Sequence, residues 1–132
     1  MTDQDAIVRV SVPARADFVH VLRAVISSVA SRIDMTFDVI EEVRIAVDEA
    51  STILLGVTQG DATLELTIEV ALDDLTVTLT APGDHVGWPA EGVRSSWPWR
   101  VMTGLCDDVE LETSDRGASI RFVKRRGARA PA

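Results

Sequence analysis

The chain has 132 residues, 46% of them apolar and 26% charged, with a net charge of −8 and one cysteine. This is the length of one domain with enough residues to bury a core. No apolar run approaches the roughly 20 residues of a membrane-spanning helix, and a lone Cys106 excludes an internal disulfide and a cysteine-based zinc site.

The first five residues, Met1-Thr2-Asp3-Gln4-Asp5, are acidic and lack a signal-peptide pattern, so a cytoplasmic location is expected. Ala6 to Val12 alternates as a strand does, and Pro13 ends it. Asp17 to Arg32 reads as a helix. Phe18, Val21, Leu22, Val25 and Val29 form its apolar stripe, and His20, Arg23, Ser27 and Ser31 its polar side. Asp34, Met35 and Thr36 connect it to a second helix over Phe37 to Val57, whose start is favoured by Asp38 and Glu41. Ile40, Val43, Val47, Ala50, Leu54 and Val57 share the face expected to meet the core. Glu49 points away from that face, between Ile45 and Ile53. A carboxylate so placed either lines a pocket or is covered by another subunit.

Gly56 and Gly60 mark the end of the second helix and the turn after it. The period then becomes two. Leu64, Leu66, Ile68 and Val70 alternate with Thr63, Glu65, Thr67 and Glu69, and Leu75, Val77 and Leu79 alternate with threonines; Asp73-Asp74 between them predicts a hairpin. Residues 81–96, rich in Gly, Pro and Ser, read as a long loop of the kind that carries function. A short helix over Trp97 to Leu105 follows. Two last strands, Val109 to Thr113 and Ser119 to Val123, turn over Ser114-Asp115-Arg116-Gly117. The order β-α-α-β-β-α-β-β predicts an α+β fold, a two-layer sandwich of helices on a mainly antiparallel sheet. A single domain is expected over residues 1–125, and residues 126–132 read as a basic disordered tail.

Charge is uneven. Residues 121–132 hold five basic side chains and no acid, which leaves −13 on residues 1–120. An acidic body speaks against direct binding to nucleic acid. It suits a basic protein partner, or serves solubility alone.

The stretch Val43-Arg44-Ile45-Ala46-Val47-Asp48-Glu49-Ala50-Ser51-Thr52-Ile53 resembles the N box of the Bergerat (GHKL, histidine-kinase-like) ATPase fold. The version is that of bacterial anti-sigma-factor serine kinases of the anti-sigma-B and anti-sigma-F type, and the resemblance is closest to actinobacterial anti-sigma-F factors. It covers residues 6–125, and the closing helix and hairpin from Trp99 to Arg125 support it. The family order agrees with the order read above. In that family the Glu is a general base for phosphorylating an anti-anti-sigma protein. An Asn four residues later holds the magnesium of ATP, and the two share a helix face. Here Glu49 matches the Glu, but Ile53 stands at the Asn position, and isoleucine has no oxygen for a hard cation.

The family's Asp-x-Gly-x-Gly box falls on Leu79-Thr80-Ala81-Pro82-Gly83-Asp84-His85-Val86-Gly87, with no Asp at the strand end. Its glycine-rich phosphate lid falls on Arg94-Ser95-Ser96-Trp97-Pro98-Trp99, where Trp and Pro replace the glycines. The resemblance therefore implies an anti-sigma factor that sequesters an alternative sigma factor, released by a STAS-type anti-anti-sigma partner, as a homodimer. Loss of kinase activity is expected, with no cofactor, no metal, no nucleic acid and no membrane among its ligands. The alternative is an active serine kinase using ATP and magnesium.

Among single residues, Glu49 is either the general base or a vestigial, leftover carboxylate, hydrogen-bonded or at a subunit interface. Arg23 matches the first-helix arginine by which the family touches its sigma factor, and His20 and Ser27 join it as partner-binding residues on the same side. A solvated helix arginine is the plain alternative. His20 and His85 lack a second ligand at metal spacing and read as surface residues. Cys106 reads as a buried small side chain. Trp97 and Trp99 read as core packing, with partner anchoring as the other possibility.

Overall fold

The computed structural model describes residues 6–83, 85 and 87–127. Five strands form one antiparallel sheet: β1 (Ala6–Pro13), β2 (Thr63–Val70), β3 (Asp74–Pro82), β4 (Asp108–Ser114) and β5 (Gly117–Arg125), in the spatial order β1-β2-β3-β5-β4. Three helices, α1 (Val19–Arg32), α2 (Phe37–Leu55) and α3 (Trp97–Leu105), cover one face of it. The α+β sandwich and its element order are as the sequence predicts.

The period-2 pattern fixes which face is covered. In register, Leu66 lies opposite Leu79, Ile68 opposite Val77, and Val77 and Leu79 opposite Phe122 and Ile120. These side chains are buried against Leu22 and Ile26 of α1, Val43, Val47 and Leu54 of α2, and Met102 of α3. A single-residue slip would turn all of them to water. The other face stays polar: Thr80 and Ser119 hydroxyls meet at 2.8 Å, and Arg121 pairs with Glu112 at 3.1 Å and with Glu110.

The helix ends follow cap chemistry. Thr36 Oγ1 accepts from the Val39 N–H at 3.3 Å to open α2, and Asp34, at φ 61°, turns the chain into it. Ser96 caps α3, with Pro98 tolerated in the first turn. The end of α2 departs from expectation. The helix stops at Leu55, two residues early, and Gly56 remains in the α-region at φ −68°; the left-handed glycine is Gly60, at φ 62°. Gly117, at φ 135°, is essential to the β4–β5 turn, because a Cβ there would meet the Ala81 carbonyl at 2.3 Å.

Two further expectations change. The first helix begins not at Asp17 but at Val19, behind a 3₁₀ turn over Ala16–Phe18. Arg126, assigned by sequence to the tail, is 5% exposed, and its N–H donates to the Asp73 carbonyl at 2.7 Å, so the fixed chain runs past β5. Residues 128–132 of the expected tail lie outside the described residues.

Candidate functional site

The first candidate is the seam between α1 and α2. At about 100° per residue, His20, Arg23 and Ser27 fall on one flank of α1, and that flank meets α2. Arg23 Nε lies 2.9 Å from Asp48 Oδ1, and both atoms are shielded from solvent. The same guanidinium donates through Nη2 to His20 Nδ1 at 2.8 Å. Arginine has only donors, so Nδ1 is the accepting nitrogen of this contact. Ser27 Oγ donates to the Arg23 carbonyl at 2.8 Å, and Arg44 pairs with Glu41 at 2.5 Å. His20, Arg23, Ala24, Ser27 and Arg44 line an open concavity of about 310 Å³. All three residues assigned to partner binding thus share one site. Sequence reasoning missed Asp48 and Arg44, which complete it from α2. Burial pushes the Asp48 carboxyl above its ordinary value, although Arg23, Arg44 and His20 all pull it down.

The second candidate is the other flank of α2. Glu42 and Glu49, seven residues apart, lie almost in line on it, with Ile53 beside them. Glu42 Oε1 pairs with Lys124 Nζ of β5 at 3.1 Å, and Lys124 also donates to the Leu105 carbonyl at the end of α3. Next to them Cys106 packs against the core, and burial pushes its thiol up to about 12. Glu49 is half-buried, with its carboxyl raised first by burial and then by neighbouring Asp48. Ile53 packs against the core.

The third element is the segment between β3 and α3. Ala81 is fully buried where β3 ends, and His85 Nε2 lies 3.0 Å and 3.1 Å from the Ala81 and Pro82 carbonyls. His85 is therefore a tie across the strand end and not the free surface residue the sequence suggests. Asp84 and Val86 lie outside the described residues. Trp88 packs on the core, and its indole N–H donates to the Glu112 carbonyl of β4 at 2.9 Å. A 3₁₀ turn over Val93–Ser95 leads into α3. Trp97 does not pack in the core as expected: it is 72% exposed, and Trp99 is half-buried.

This layout has counterparts among known proteins. The model of the histidine kinase-like ATPase domain matches residues 12–124. The chain belongs to the histidine kinase-like ATPase domain family. Its similarity to an anti-sigma-F factor RsbW from Mycobacterium tuberculosis is 34% identity over 103 residues, which is 78% of this chain and 60% of that protein. The chain thus spans under two thirds of that relative's length. A serine-protein kinase RsbW from Halalkalibacterium halodurans is 32% identical over 81 residues, covering 61% of this chain and 50% of that protein. Another serine-protein kinase RsbW, from Bacillus cereus, is 26% identical over 134 residues, 89% of this chain and 83% of the relative. In three dimensions the chain resembles the crystal structure of the RsbU and RsbW domains of a Mycobacterium tuberculosis protein. The TM-score is 0.72 at 12% identity, over 96% of this chain and 34% of that one. The fold is thus of the GHKL type.

Membership of the histidine kinase-like ATPase domain family implies a magnesium nucleotide, and the side chains of this chain fit one poorly. Ile53 offers hydrocarbon where a magnesium ligand is needed. Where a phosphate lid would need glycine backbone, this family member has Trp97 and Pro98 opening α3. Among the described residues, no helix is long and apolar enough to cross a membrane.

Proposed function

We propose that this chain is an anti-sigma factor, which holds an alternative sigma factor away from core RNA polymerase by covering its surface. The observation that carries the reading is the α1–α2 seam: Asp48 fixes Arg23 at the mouth of a concavity that His20, Ser27 and Arg44 complete. A guanidinium held in one orientation loses little entropy on binding, so it suits a charge-assisted bond to a carboxylate of the partner. The names of the relatives support the class of activity. The protein works in the cytoplasm as a homodimer, and a STAS-type anti-anti-sigma protein releases the sigma factor by competition, without phosphotransfer. The test is binding of purified alternative sigma factors to the chain and to its Arg23→Glu variant.

A second reading, an active serine kinase that phosphorylates the antagonist, is favoured by Glu49, whose raised carboxyl suits a general base. Ile53 and the lid sequence oppose it. A magnesium-ATP titration decides between the two readings.

A further inference from the structure

We propose that Arg44 of α2 is a second recognition residue of the α1–α2 concavity, and that Arg23 and Arg44 together receive one acidic side chain of the sigma factor. This rests on the sigma-factor reading and adds to it the residue that selects a carboxylate.

The two guanidiniums come from different helices. Asp48 holds Arg23 of α1 at 2.9 Å, and Glu41 holds Arg44 of α2 at 2.5 Å. Arg44 precedes Asp48 by four residues, so it lies one turn away on the same side of α2. It is close enough to pull the Asp48 carboxyl down, as Arg23 does. Both arginines thus stand at one open concavity of about 310 Å³, whose wall also holds His20, Ala24 and Ser27. Among the described residues no carboxylate lines it. Asp48 and Glu41, the acids that hold the arginines, are not part of the wall.

That separation sets the chemistry of the occupant. Arginine offers several N–H donors and no acceptor. Arg44 spends Nη1 on Glu41, and Arg23 spends Nε on Asp48 and Nη2 on His20. Donors remain on both guanidiniums, and a carboxylate has two oxygens with which to accept from both. A basic side chain of a partner would meet like charge there.

The Glu41–Arg44 pair is an i,i+3 contact between partly exposed side chains, which contributes little to stability. Its effect is to hold Arg44 in one place, as Asp48 holds Arg23. Ala24, the smallest side chain of the wall, is exposed and leaves the room through which the acidic side chain enters.

The experiment titrates the full chain and its Arg44→Gln, Arg44→Glu and Ala24→Leu variants with purified alternative sigma factors. Thermal melting checks that each variant is folded. Arg44 lies outside the core, and leucine is a good helix former, so all three should fold. A sigma factor that the parent binds should bind each variant about tenfold or more weakly. Each exposed Asp and Glu of that sigma factor is then changed to Lys in turn. One such variant should recover binding to Arg44→Glu and bind the parent poorly. Undiminished binding to Arg44→Gln and Ala24→Leu by a sigma factor that Arg23→Glu weakens overturns the role of Arg44 and leaves the sigma-factor reading standing. The absence of any Lys variant that recovers binding to Arg44→Glu does the same. Failure of every sigma factor to bind the parent overturns both.

Discussion

Arg23 Nε and Asp48 Oδ1 face each other at 2.9 Å across the seam of α1 and α2, both shielded from water. The pair turns a surface arginine into a fixed one. Its guanidinium keeps other N–H groups free, one of which reaches His20 Nδ1. Arg23 lies off the apolar stripe of α1, yet Arg23→Ala leaves a half-buried carboxylate without its cation.

The first prediction separates binding from folding at this pair. Arg23→Ala should weaken the sigma-factor complex by about 1.5–3 kcal/mol, the range for a hydrogen bond to a charged group, and Arg23→Glu should weaken it more. Asp48→Asn should also weaken it, by loosening the orientation of Arg23, while leaving Arg23 itself in place. Calorimetric titration of each variant, with circular dichroism for fold, makes the check. Equal affinity in all three variants would remove α1 from the interface.

Asp48 also sets a pH dependence. Its folded carboxyl titrates above its ordinary value of 3.8, because burial outweighs the attraction of Arg23. The folded state therefore holds that proton more tightly than the unfolded chain does. Its contribution favours folding at low pH and diminishes as pH rises through the window above 3.8. At neutral pH Asp48→Asn should thus keep or slightly raise the melting temperature, even as it weakens partner binding. The difference in melting temperature between parent and variant, followed from pH 3 to pH 7, should shift in favour of the variant as pH increases. A variant much less stable than the parent at pH 7 would show that the ion pair outweighs burial.

Cys106 should be unreactive. Burial beside Asp107 and Glu42, against the weaker pull of Lys124, raises the thiol to about 12. At pH 8 the thiolate fraction is negligible, so labelling of the folded protein by a disulfide reagent should be far slower than in denaturant. A raised thiol favours folding while protonated, so stability relative to Cys106→Ala should decline as pH climbs from about 9 toward 12. Fast labelling at neutral pH would point to a redox function instead.

Magnesium-ATP should give no saturable heat at physiological concentration. Ile53→Asn alone should not restore binding, because Trp97 and Pro98 still occupy the lid position and Ala81, not an Asp, stands at the end of β3. Low-micromolar binding that is abolished by Glu49→Ala would revive the kinase reading.

Much of this arrangement was legible in the residues. The strands of the central hairpin could be read because Leu66, Ile68, Val77 and Leu79 alternate strictly with polar residues. The bounds of α3 could be read because Ser96 and Pro98 punctuate its start. The family resemblance came from Glu49 and its neighbours. Periodicity did not fix how α2 is rotated against its neighbours. Its buried set includes Ala46 and Ser51, outside the expected face, with Ser51 Oγ satisfied by the Val47 carbonyl at 2.7 Å. That rotation brings Asp48 to Arg23, a contact 25 residues apart in sequence that no local pattern encodes. Trp97 was misjudged for a related reason: a tryptophan beside a proline suggests packing, and only the tertiary structure reveals that α3 turns it outward.

The most direct test of the account is titration of the full chain with purified alternative sigma factors of its source organism, without nucleotide, beside the Arg23→Glu variant. The account predicts one-to-one binding of at least one sigma factor per chain, blocking its association with core polymerase, with slower association at higher salt and clear weakening in the variant. Failure of every sigma factor to bind, or binding only when magnesium-ATP is added, would contradict it.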